Sequence, residues 1–367
     1  MRICYISHPD SAHTRRWVGW FQRHGHQVWL IADYPQREPW SGMTIYNWTS
    51  RYNTPVLKYW LWTQQTRKLL RQIKPDILHA HRVSRAGWVA ASTGFHPLVV
   101  TPWGSDLYLQ PSRSLIARQL AHLVLQKADL VTADSQDLCS LAVRMGAKRS
   151  ATHLIQWGVD TTLFNPHGNP AIGQERYRIQ GSPVILSPRG MSPIYNIDIL
   201  VTAFAQVRTK IPEAVLVLRD YNTNPAYKEK IITMIDRLNL SSAVVWVGLL
   251  EPWEQTVDLY RAANLVISLA SSDGTPVSVL EAMACGIPVI ASDLPSIREW
   301  ITPENNGLLV PPRDEHCLAS AIIRLLSNPE LMASFRQQNL QLINERADHD
   351  TEMRKMEQLY AALLPIP

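Results

Sequence analysis

Short apolar runs alternate with longer amphipathic segments through the first part of the chain. The apolar runs predict strands, and segments whose apolar residues recur every three or four positions predict helices. The predicted strands are Arg2–Ser7, Gln27–Ala32, Asp76–Ala80, Leu98–Thr101 and Leu130–Ala133, and the predicted helices are Thr14–His24 and Pro55–Ile73. Strands separated by helix-length segments indicate βαβ crossovers and therefore a parallel sheet.

The same alternation starts afresh in the second part of the chain. The predicted strands there are Pro183–Ser187, Ala214–Leu218, Ala243–Val247 and Leu265–Ser268, and the predicted helices are Asp198–Lys210, Tyr227–Leu238 and Pro252–Ala262. Because 367 residues are too many for one core, two domains are expected.

The fold class predicted by this pattern is α/β, with two Rossmann-like, doubly wound parallel-sheet domains that face an interdomain cleft. The N-terminal domain is expected over 1–165 and the C-terminal domain over 183–349, with a Pro- and Gly-rich linker, 166–182, between them. The last segment, 350–367, is expected to form a helix that packs back on the N-terminal domain. Ligands of doubly wound sheets bind at the carboxyl ends of the strands.

The charge of the chain is unevenly divided. Residues 1–165 carry 19 Lys and Arg against 9 Asp and Glu, whereas residues 166–367 carry 17 against 22. A basic first half predicts an anionic partner such as membrane headgroups or a lipid phosphate, although an uneven surface of no consequence is an open alternative. Nucleic acid is disfavoured because no binding motif accompanies the charge.

The expected location is the cytoplasm, with peripheral attachment to the inner face of the membrane left open. The hydrophobic fraction of 46% is that of a soluble protein, no leader sequence is recognised, and the four cysteines lie far apart, as in a reducing compartment. The segment 58–74 combines aromatic and basic residues in a pattern suited to an anionic membrane surface. A domain helix with one buried face and one solvated basic face explains that pattern equally well.

Residues 271–301 carry the most informative motif of the chain. Asp273 precedes a tight turn formed by Gly274, Thr275 and Pro276, and a predicted helix begins near Val277 and contains Glu281. A glycine permits close approach of the backbone to a ligand, and a helix N-terminus attracts phosphate. We therefore expect a pocket for a sugar diphosphate, with Asp273 on sugar hydroxyls and Glu281 on a ribose. Without a ligand, Asp273 would be a turn residue and Glu281 a solvated helix position.

A second loop in the same domain adds a positive charge. Arg189 follows the strand Pro183–Ser187 and precedes Gly190. A guanidinium there is expected to bind the diphosphate and to stabilise it as the leaving group.

These motifs together resemble the family 4 retaining glycosyltransferases of the GT-B fold. The run Glu281–Ser292 matches the family pattern, with Asp273 in place of its usual first Glu and Arg189 as its phosphate-binding Arg. The resemblance implies that backbone groups of Gly248 and Leu249 meet the nucleobase. It implies a retaining, hexosyltransferase-type enzyme that needs no metal and no cofactor, with a UDP- or GDP-linked sugar as its substrate.

The chain departs from the family pattern at three places. Tyr195, followed by Asn196, stands where the family has a phosphate-binding Lys, and Trp103 stands where it has a His. The family's Gly-Gly loop is replaced by residues 8–13. A bacterial branch of the family with WGSD and PIYN runs looks similar, so these changes do not by themselves imply lost activity.

The remaining candidates lie in the first half, at predicted strand ends. The acceptor side is expected to contain His8, His13, Trp103, Ser105 and Asp106. Asp106 and His81 are the catalytic candidates beside Arg189 and Asp273, whereas His79 fits a structural role better. The spacing of acidic residues and histidines does not favour a metal site.

The sequence therefore predicts transfer of a sugar, with retention, from a nucleotide diphosphate to a lipid-linked or glycan acceptor in the synthesis of cell-surface polysaccharide or glycolipid. The alternative from another class is a non-catalytic protein that binds nucleotide sugars on a degenerate fold. A sugar-nucleotide epimerase on the same fold is a third hypothesis.

Overall fold

The computed structural model describes residues 1–36, 39–250 and 253–365 and divides into two compact units. The first contains Met1–Trp157 together with the segment from Asp350 onward, and the second is Gly158–His349. The described part of the chain contains no helix that is both long and apolar enough to cross a membrane.

The first unit is built on a parallel sheet. Its strands are β1 (Arg2–Ser7), β2 (Gln27–Ala32), β3 (Thr44–Asn47), β4 (Ile77–His81), β5 (Leu98–Thr101), β6 (Leu130–Ala133) and β7 (Thr152–Leu154). They are hydrogen-bonded in the order β3-β2-β1-β4-β5-β6-β7. The order reverses at β1 and β4, which makes the sheet doubly wound, as the alternating pattern predicts.

The helices of the first unit connect these strands. They are α1 (Ala12–Arg23), α2 (Pro55–Ile73), α3 (Arg85–Thr93), α4 (Ser105–Tyr108), α5 (Gln110–Arg113), α6 (Leu115–Lys127) and α7 (Gln136–Arg144).

The second unit has its own parallel sheet. Its strands are β8 (Val184–Ser187), β9 (Val215–Arg219), β10 (Val244–Val247), β11 (Leu265–Ser268), β12 (Val289–Ser292) and β13 (Leu308–Val310), in the order β10-β9-β8-β11-β12-β13. Its helices are α8 (Pro170–Arg176), α9 (Ile197–Arg208), α10 (Pro225–Arg237), α11 (Trp253–Arg261), α12 (Val277–Ala284), α13 (Pro295–Arg298), α14 (Glu315–Leu326) and α15 (Pro329–Arg346). Pro252, the predicted start of α11, lies outside the described residues.

The structure differs from the predicted linker at 166–182. The unit boundary falls at Gly158, and the segment after it is packed into the second unit, where Phe164 and Ile179 are buried beside Val184. A Cβ on Gly173 in α8 would lie 2.1 Å from the carbonyl oxygen of Asp258 in α11. This glycine therefore allows the two helices to touch through their backbones. Because the segment contains few apolar residues, its sequence does not indicate that it is packed into the domain.

The last helix, α16 (His349–Ala362), packs on the first unit. Its Tyr360 hydroxyl is hydrogen-bonded to Nδ1 of His79 and lies 3.2 Å from the hydroxyl of Tyr5. Its Glu357 accepts a hydrogen bond from Nε2 of His26 at 2.8 Å.

Four neighbouring strands of the second sheet bring their carboxyl ends to one edge. They end at Val247 (β10), Arg219 (β9), Ser187 (β8) and Ser268 (β11). The loops that follow them are therefore adjacent in space although they are distant in sequence.

Candidate active site

Arg189 and Asp273 meet at the carboxyl edge of the second sheet. Nη2 of Arg189 lies 2.6 Å from Oδ2 of Asp273, and its Nη1 donates to Oγ of Ser278 in the first turn of α12 at 3.1 Å. Burial raises the pKa of Asp273 and Arg189 opposes this, while burial lowers the pKa of Arg189 and Asp273 raises it above its usual value. The guanidinium therefore stays charged at the N-terminus of a helix, where an anion is stabilised.

Tyr195 lies beneath this guanidinium. The Cζ atom of Arg189 is 4.4 Å from the centroid of the Tyr195 ring, which is a cation–π distance. The phenol adds no positive charge at the position where the family pattern has a Lys. It positions the neighbouring Arg instead.

The loops that hold the pair are tied to one another by hydrogen bonds. Asn196 donates to the carbonyl oxygen of Leu269 at 2.7 Å and to Oγ of Ser271 at 2.8 Å. Its backbone is left-handed, with φ of 48°, and it is buried. Asn196 thus joins the loop after β8 to the loop after β11, while its predicted part in donor binding stays a prediction.

The Gly-Thr-Pro turn is supported from behind. The carbonyl oxygen of Asp273 accepts from Ser296 at 2.8 Å, and Oγ1 of Thr275 accepts from Nε1 of Trp300 at 3.2 Å. Gly274, Thr275, Pro276 and Val277 are all buried, and Pro276 is the residue immediately before α12. The turn is therefore fixed before any ligand arrives.

Glu281 is buried and points at a polar neighbour rather than at solvent. Its exposed fraction is 6%, and its Oε2 lies 3.1 Å from the hydroxyl of Tyr260 in α11. Burial, and next the charge of Glu281, raise the pKa of Tyr260 well above its usual value, so the phenol remains a hydrogen-bond donor. Glu281 is therefore not a solvated helix position, and its predicted contact with a ribose stays a prediction.

The loop after β10 presents open backbone. A Cβ on Gly248 would meet no atom of the described residues within 4 Å, and Leu249 is exposed. The contact of these backbone groups with a nucleobase stays a prediction.

Arg219 is a buried cation that the sequence reasoning missed. It ends β9, has an exposed fraction of 6% and forms no ion pair among the described residues. Its Nε donates to the carbonyl oxygen of Gly248 at 3.3 Å, and its Cζ lies 5.0 Å from the ring of Tyr221. An Arg at the end of an otherwise apolar strand was the available signal, since buried charges are rarely placed without a partner.

Three of the first-unit candidates, His13, His81 and Trp103, belong to an aromatic cluster at the carboxyl ends of β4 and β5. His13 has its ring 4.9 Å from that of Trp157 and 5.8 Å from that of Trp103, and His8 stacks on Tyr34 at 4.7 Å. Nδ1 of His8 also accepts from the backbone N–H of Asp10.

His79 and His81 are both fully buried. His79 is hydrogen-bonded on both ring nitrogens, to Tyr360 and to Thr101, which is a structural arrangement. His81 contacts Oγ of Ser7 through Nδ1, and its Nε2 has no partner among the described residues. Burial, and then the charge of Arg82, lower the pKa of His81 to about 3, so the ring is neutral.

Asp106 fixes two loops. Its Oδ2 accepts from the backbone N–H of Val83 at 2.6 Å, and its Oδ1 accepts from that of Trp103 at 2.8 Å. Both oxygens are thus engaged by backbone amides, which favours a positioning role over the predicted catalytic one. Ser105, at the start of α4, is exposed.

Within the described residues, no group of three or more His, Cys, Asp and Glu side chains is arranged to hold a metal ion.

Two family models match this chain, one in each half. Residues 173–341 match "Glycosyl transferases group 1", and residues 2–135 match "Glycosyl transferase 4-like". Each half of the chain is therefore similar to a glycosyltransferase family.

Solved structures of two other proteins share the fold of this chain. HepE from Anabaena, in complex with UDP-glucose, has a TM-score of 0.85 and 19% identity, and the match covers 99% of this chain and 100% of that one. Sucrose-phosphate synthase from Thermosynechococcus elongatus has a TM-score of 0.83 and 22% identity, with 99% of each chain covered. The predicted fold class, two Rossmann-like parallel-sheet domains, is confirmed.

Curated relatives are similar over a shorter range. The D-inositol 3-phosphate glycosyltransferase 2 of Catenulispora acidiphila is 25% identical over 283 residues, which cover 71% of this chain and 64% of the relative. The corresponding enzyme of Rhodococcus jostii is 25% identical over 276 residues, covering 71% and 60%. The chain thus spans less than two thirds of the length of these relatives.

Proposed function

We propose that this protein is a glycosyltransferase that moves a sugar from a nucleotide diphosphate, UDP- or GDP-linked, to a lipid-linked or glycan acceptor, with retention of configuration. The observation that carries the proposal is the contact between Arg189 and Asp273, on the loops after the adjacent strands β8 and β11, with buried Glu281 in α12, the helix that follows. Arg189 binds the diphosphate, Asp273 the transferred sugar and Glu281 the ribose. The bound UDP-glucose in HepE supports a nucleotide-sugar donor.

Catalysis of this reaction requires the protein to position the donor and the acceptor and to stabilise the leaving diphosphate. The acceptor hydroxyl attacks on the face from which the diphosphate departs, its proton passes to the leaving phosphate oxygen, and no side chain becomes glycosylated. Arg189 alone supplies one charge, which Asp273 partly offsets. We propose that buried Arg219 supplies the second positive charge that Tyr195 does not.

We propose a cytoplasmic location with peripheral attachment to the membrane and a role in cell-surface polysaccharide or glycolipid synthesis. Supporting this, the first turns of α2 expose Val56, Leu57 and Trp60, which carry apolar surface into solvent beside half-buried Lys58. Apolar side chains next to basic ones suit an anionic bilayer surface. Flotation with anionic vesicles at low salt tests this, with Trp60→Ser as the variant and Leu238→Ser, an exposed apolar residue of the second unit, as its control.

A donor screen tests the enzymatic proposal. Thermal shift and slow hydrolysis are measured with UDP- and GDP-linked sugars, using Arg189→Ala and Glu281→Ala as variants. We expect stabilisation by at least one donor and loss of it in both variants. No binding, or full activity in both variants, would refute the proposal.

Two other outcomes of the same screen identify the alternatives. Binding without turnover across a broad acceptor panel would indicate the non-catalytic protein. A changed sugar nucleotide formed without any acceptor would indicate an epimerase.

We also propose that the chain belongs to the bacterial branch marked by the WGSD and PIYN runs.

A further inference from the structure

The loop after β4 holds an arginine in a strained backbone conformation. Arg82 has φ of 81°, a left-handed region that costs a residue with a long side chain about 1–3 kcal/mol. Three contacts enforce this conformation: Arg82 N–H donates to the carbonyl oxygen of Thr101 at 2.7 Å, Val83 N–H donates to Asp106, and Gly87 leaves room for the carbonyl of Arg82. Strain that neighbours enforce at a strand end is a mark of functional sites.

Asp106 fixes both the loop that contains Arg82 and the Trp103 residue on whose ring the Arg82 guanidinium stacks. The Cζ atom of Arg82 lies 4.4 Å above the ring of Trp103, whose backbone N–H is the other donor to Asp106. The buried Asp106 carboxylate thus fixes the position of the Arg82 guanidinium through two backbone hydrogen bonds. The Trp that departs from the family pattern has a defined partner here.

Arg85 is held in a similar way, three residues further on. Its Nη1 donates to the carbonyl oxygen of Asp33 at 2.6 Å, and its Cζ lies 4.2 Å above the ring of Tyr34. Arg82 and Arg85 are both half-buried, and neither has an ion-pair partner in the described parts of the chain. Two guanidinium groups are therefore fixed at the same edge of the sheet without an ion pair among the described residues.

The side chain of Asp33 has an unsatisfied oxygen at this place. Its exposed fraction is 4%, and Oδ1 has no hydrogen-bond partner among the described residues. Burial raises the pKa of Asp33 to about 6, and the charges of Arg82 and Arg85 oppose the rise, which places both near this carboxylate. A buried acceptor without a donor is costly, and a ligand hydroxyl would satisfy it.

We propose that Arg82 and Arg85 bind a phosphate or diphosphate group of the acceptor molecule, and that Asp33 accepts a hydrogen bond from a hydroxyl of that molecule. Guanidinium groups match phosphate oxygens in geometry and remain charged at all relevant pH values. The inference rests on the proposed function, because it names the chemistry of its acceptor. Two sources share that chemistry: a lipid-linked diphosphate and a water-soluble sugar phosphate.

The test uses inorganic pyrophosphate as the probe. To silence the donor side, titration calorimetry is performed on an Arg189→Ala, Arg219→Met chain, into which Arg82→Gln or Arg85→Gln is then introduced. Each should weaken pyrophosphate binding about tenfold or more, because each removes charge-assisted hydrogen bonds. Arg118→Gln, which removes an exposed charge from α6 of the same unit, should leave binding unchanged.

Arg82→Gly separates binding from folding. Glycine adopts a positive φ without strain, so this variant should melt at the same or a higher temperature and yet lose pyrophosphate affinity. A merely structural Arg82 would lower the melting temperature and leave binding intact. Binding that is absent from the donor-silenced chain, or unchanged in Arg82→Gln and Arg85→Gln, would overturn the inference.

Two further measurements complete the design. Nucleotide binding to the chain with Arg189 and Arg219 intact reports on the proposed function alone, so its failure is recognisable separately. Phosphatidylcholine vesicles with and without a polyprenyl diphosphate, compared with glucose 1-phosphate in solution, distinguish the two sources. Arg82-dependent binding to only one of them identifies the source, and Arg82-independent binding to both contradicts the proposal.

Discussion

Replacing Arg219 by Met should separate the catalytic from the structural value of a buried charge. Met keeps an unbranched apolar side chain of similar reach and removes the guanidinium. Arg219 has an exposed fraction of 6%, and the hydrogen bond from its Nε to the carbonyl oxygen of Gly248 is long at 3.3 Å. A buried cation compensated this weakly contributes little to folding, since desolvation offsets what it gains.

The expected effects on stability and on activity therefore differ in direction. The free energy of unfolding should be unchanged or higher by about 1 kcal/mol, because an apolar side chain replaces a desolvated charge. Turnover should fall about 100- to 1,000-fold, the cost of removing one preorganised group that stabilises developing negative charge. Thermal melting and single-turnover transfer on the same preparations measure the two quantities.

Arg208→Met is the matched control. Arg208 ends α9 and donates to the carbonyl oxygen of Ala214, just before β9, so it lies at the opposite edge of the same sheet. Its replacement should leave turnover unchanged. If Arg219→Met lowered the melting temperature and left turnover within twofold of the parent, the idea that Arg219 compensates for Tyr195 would be refuted.

The remaining predictions concern three other residues. Asp273→Asn removes the anion that competes for Arg189, so UDP or GDP should bind about tenfold more tightly while sugar transfer falls; calorimetry and turnover assays check this, and weaker nucleotide binding would contradict it. Tyr195→Phe keeps the ring under Arg189 and should retain activity, whereas Tyr195→Ala should lose roughly five- to tenfold in donor affinity; equal affinities would show the stacking to be irrelevant. Because burial raises the pKa of Asp33 to about 6, the stability from its protonated form is complete below pH 3.8 and is lost as the pH rises through 6. Relative to Asp33→Asn, the free energy of unfolding of the parent should therefore fall by about 3 kcal/mol across that window. Denaturation of both proteins at pH 4 and at pH 7 checks this, and the same difference in free energy of unfolding between them at the two pH values would disprove it.

Apolar runs predicted most of the sheet because buried parallel strands read as continuous hydrophobic segments. Arg2–Ser7, Gln27–Ala32 and Leu265–Ser268 have the predicted bounds in the structure. The exposed edge strand β3 was not predicted, since its residues are mostly solvated and its sequence shows no such run. The linker prediction failed for a related reason: a helix that packs through glycine needs few apolar side chains.

The sequence predicted those site residues that lie close together in one segment of the chain. Asp273, the turn after it and Glu281 stand in one segment, whereas Arg219 and Asp33 are isolated polar residues at strand ends. Only the sheet order shows that β9 lies next to β8, which brings Arg219 to the same edge as Arg189. Burial without an ion pair among the described residues, the property that singles out Arg219 and Asp33, exists only in the folded chain.

The charges of the second unit imply an order of events in donor binding. Arg189 is neutralised by Asp273 at 2.6 Å, so the net positive charge available to an incoming diphosphate comes from Arg219 and the N-terminus of α12. If the donor binds as proposed, a diphosphate that draws Arg189 away would free the Asp273 carboxylate, which would then accept hydrogen bonds from the sugar hydroxyls. Free sugar offers no charge to displace Asp273 from Arg189. Recognition of the sugar should therefore depend on the diphosphate being attached to it.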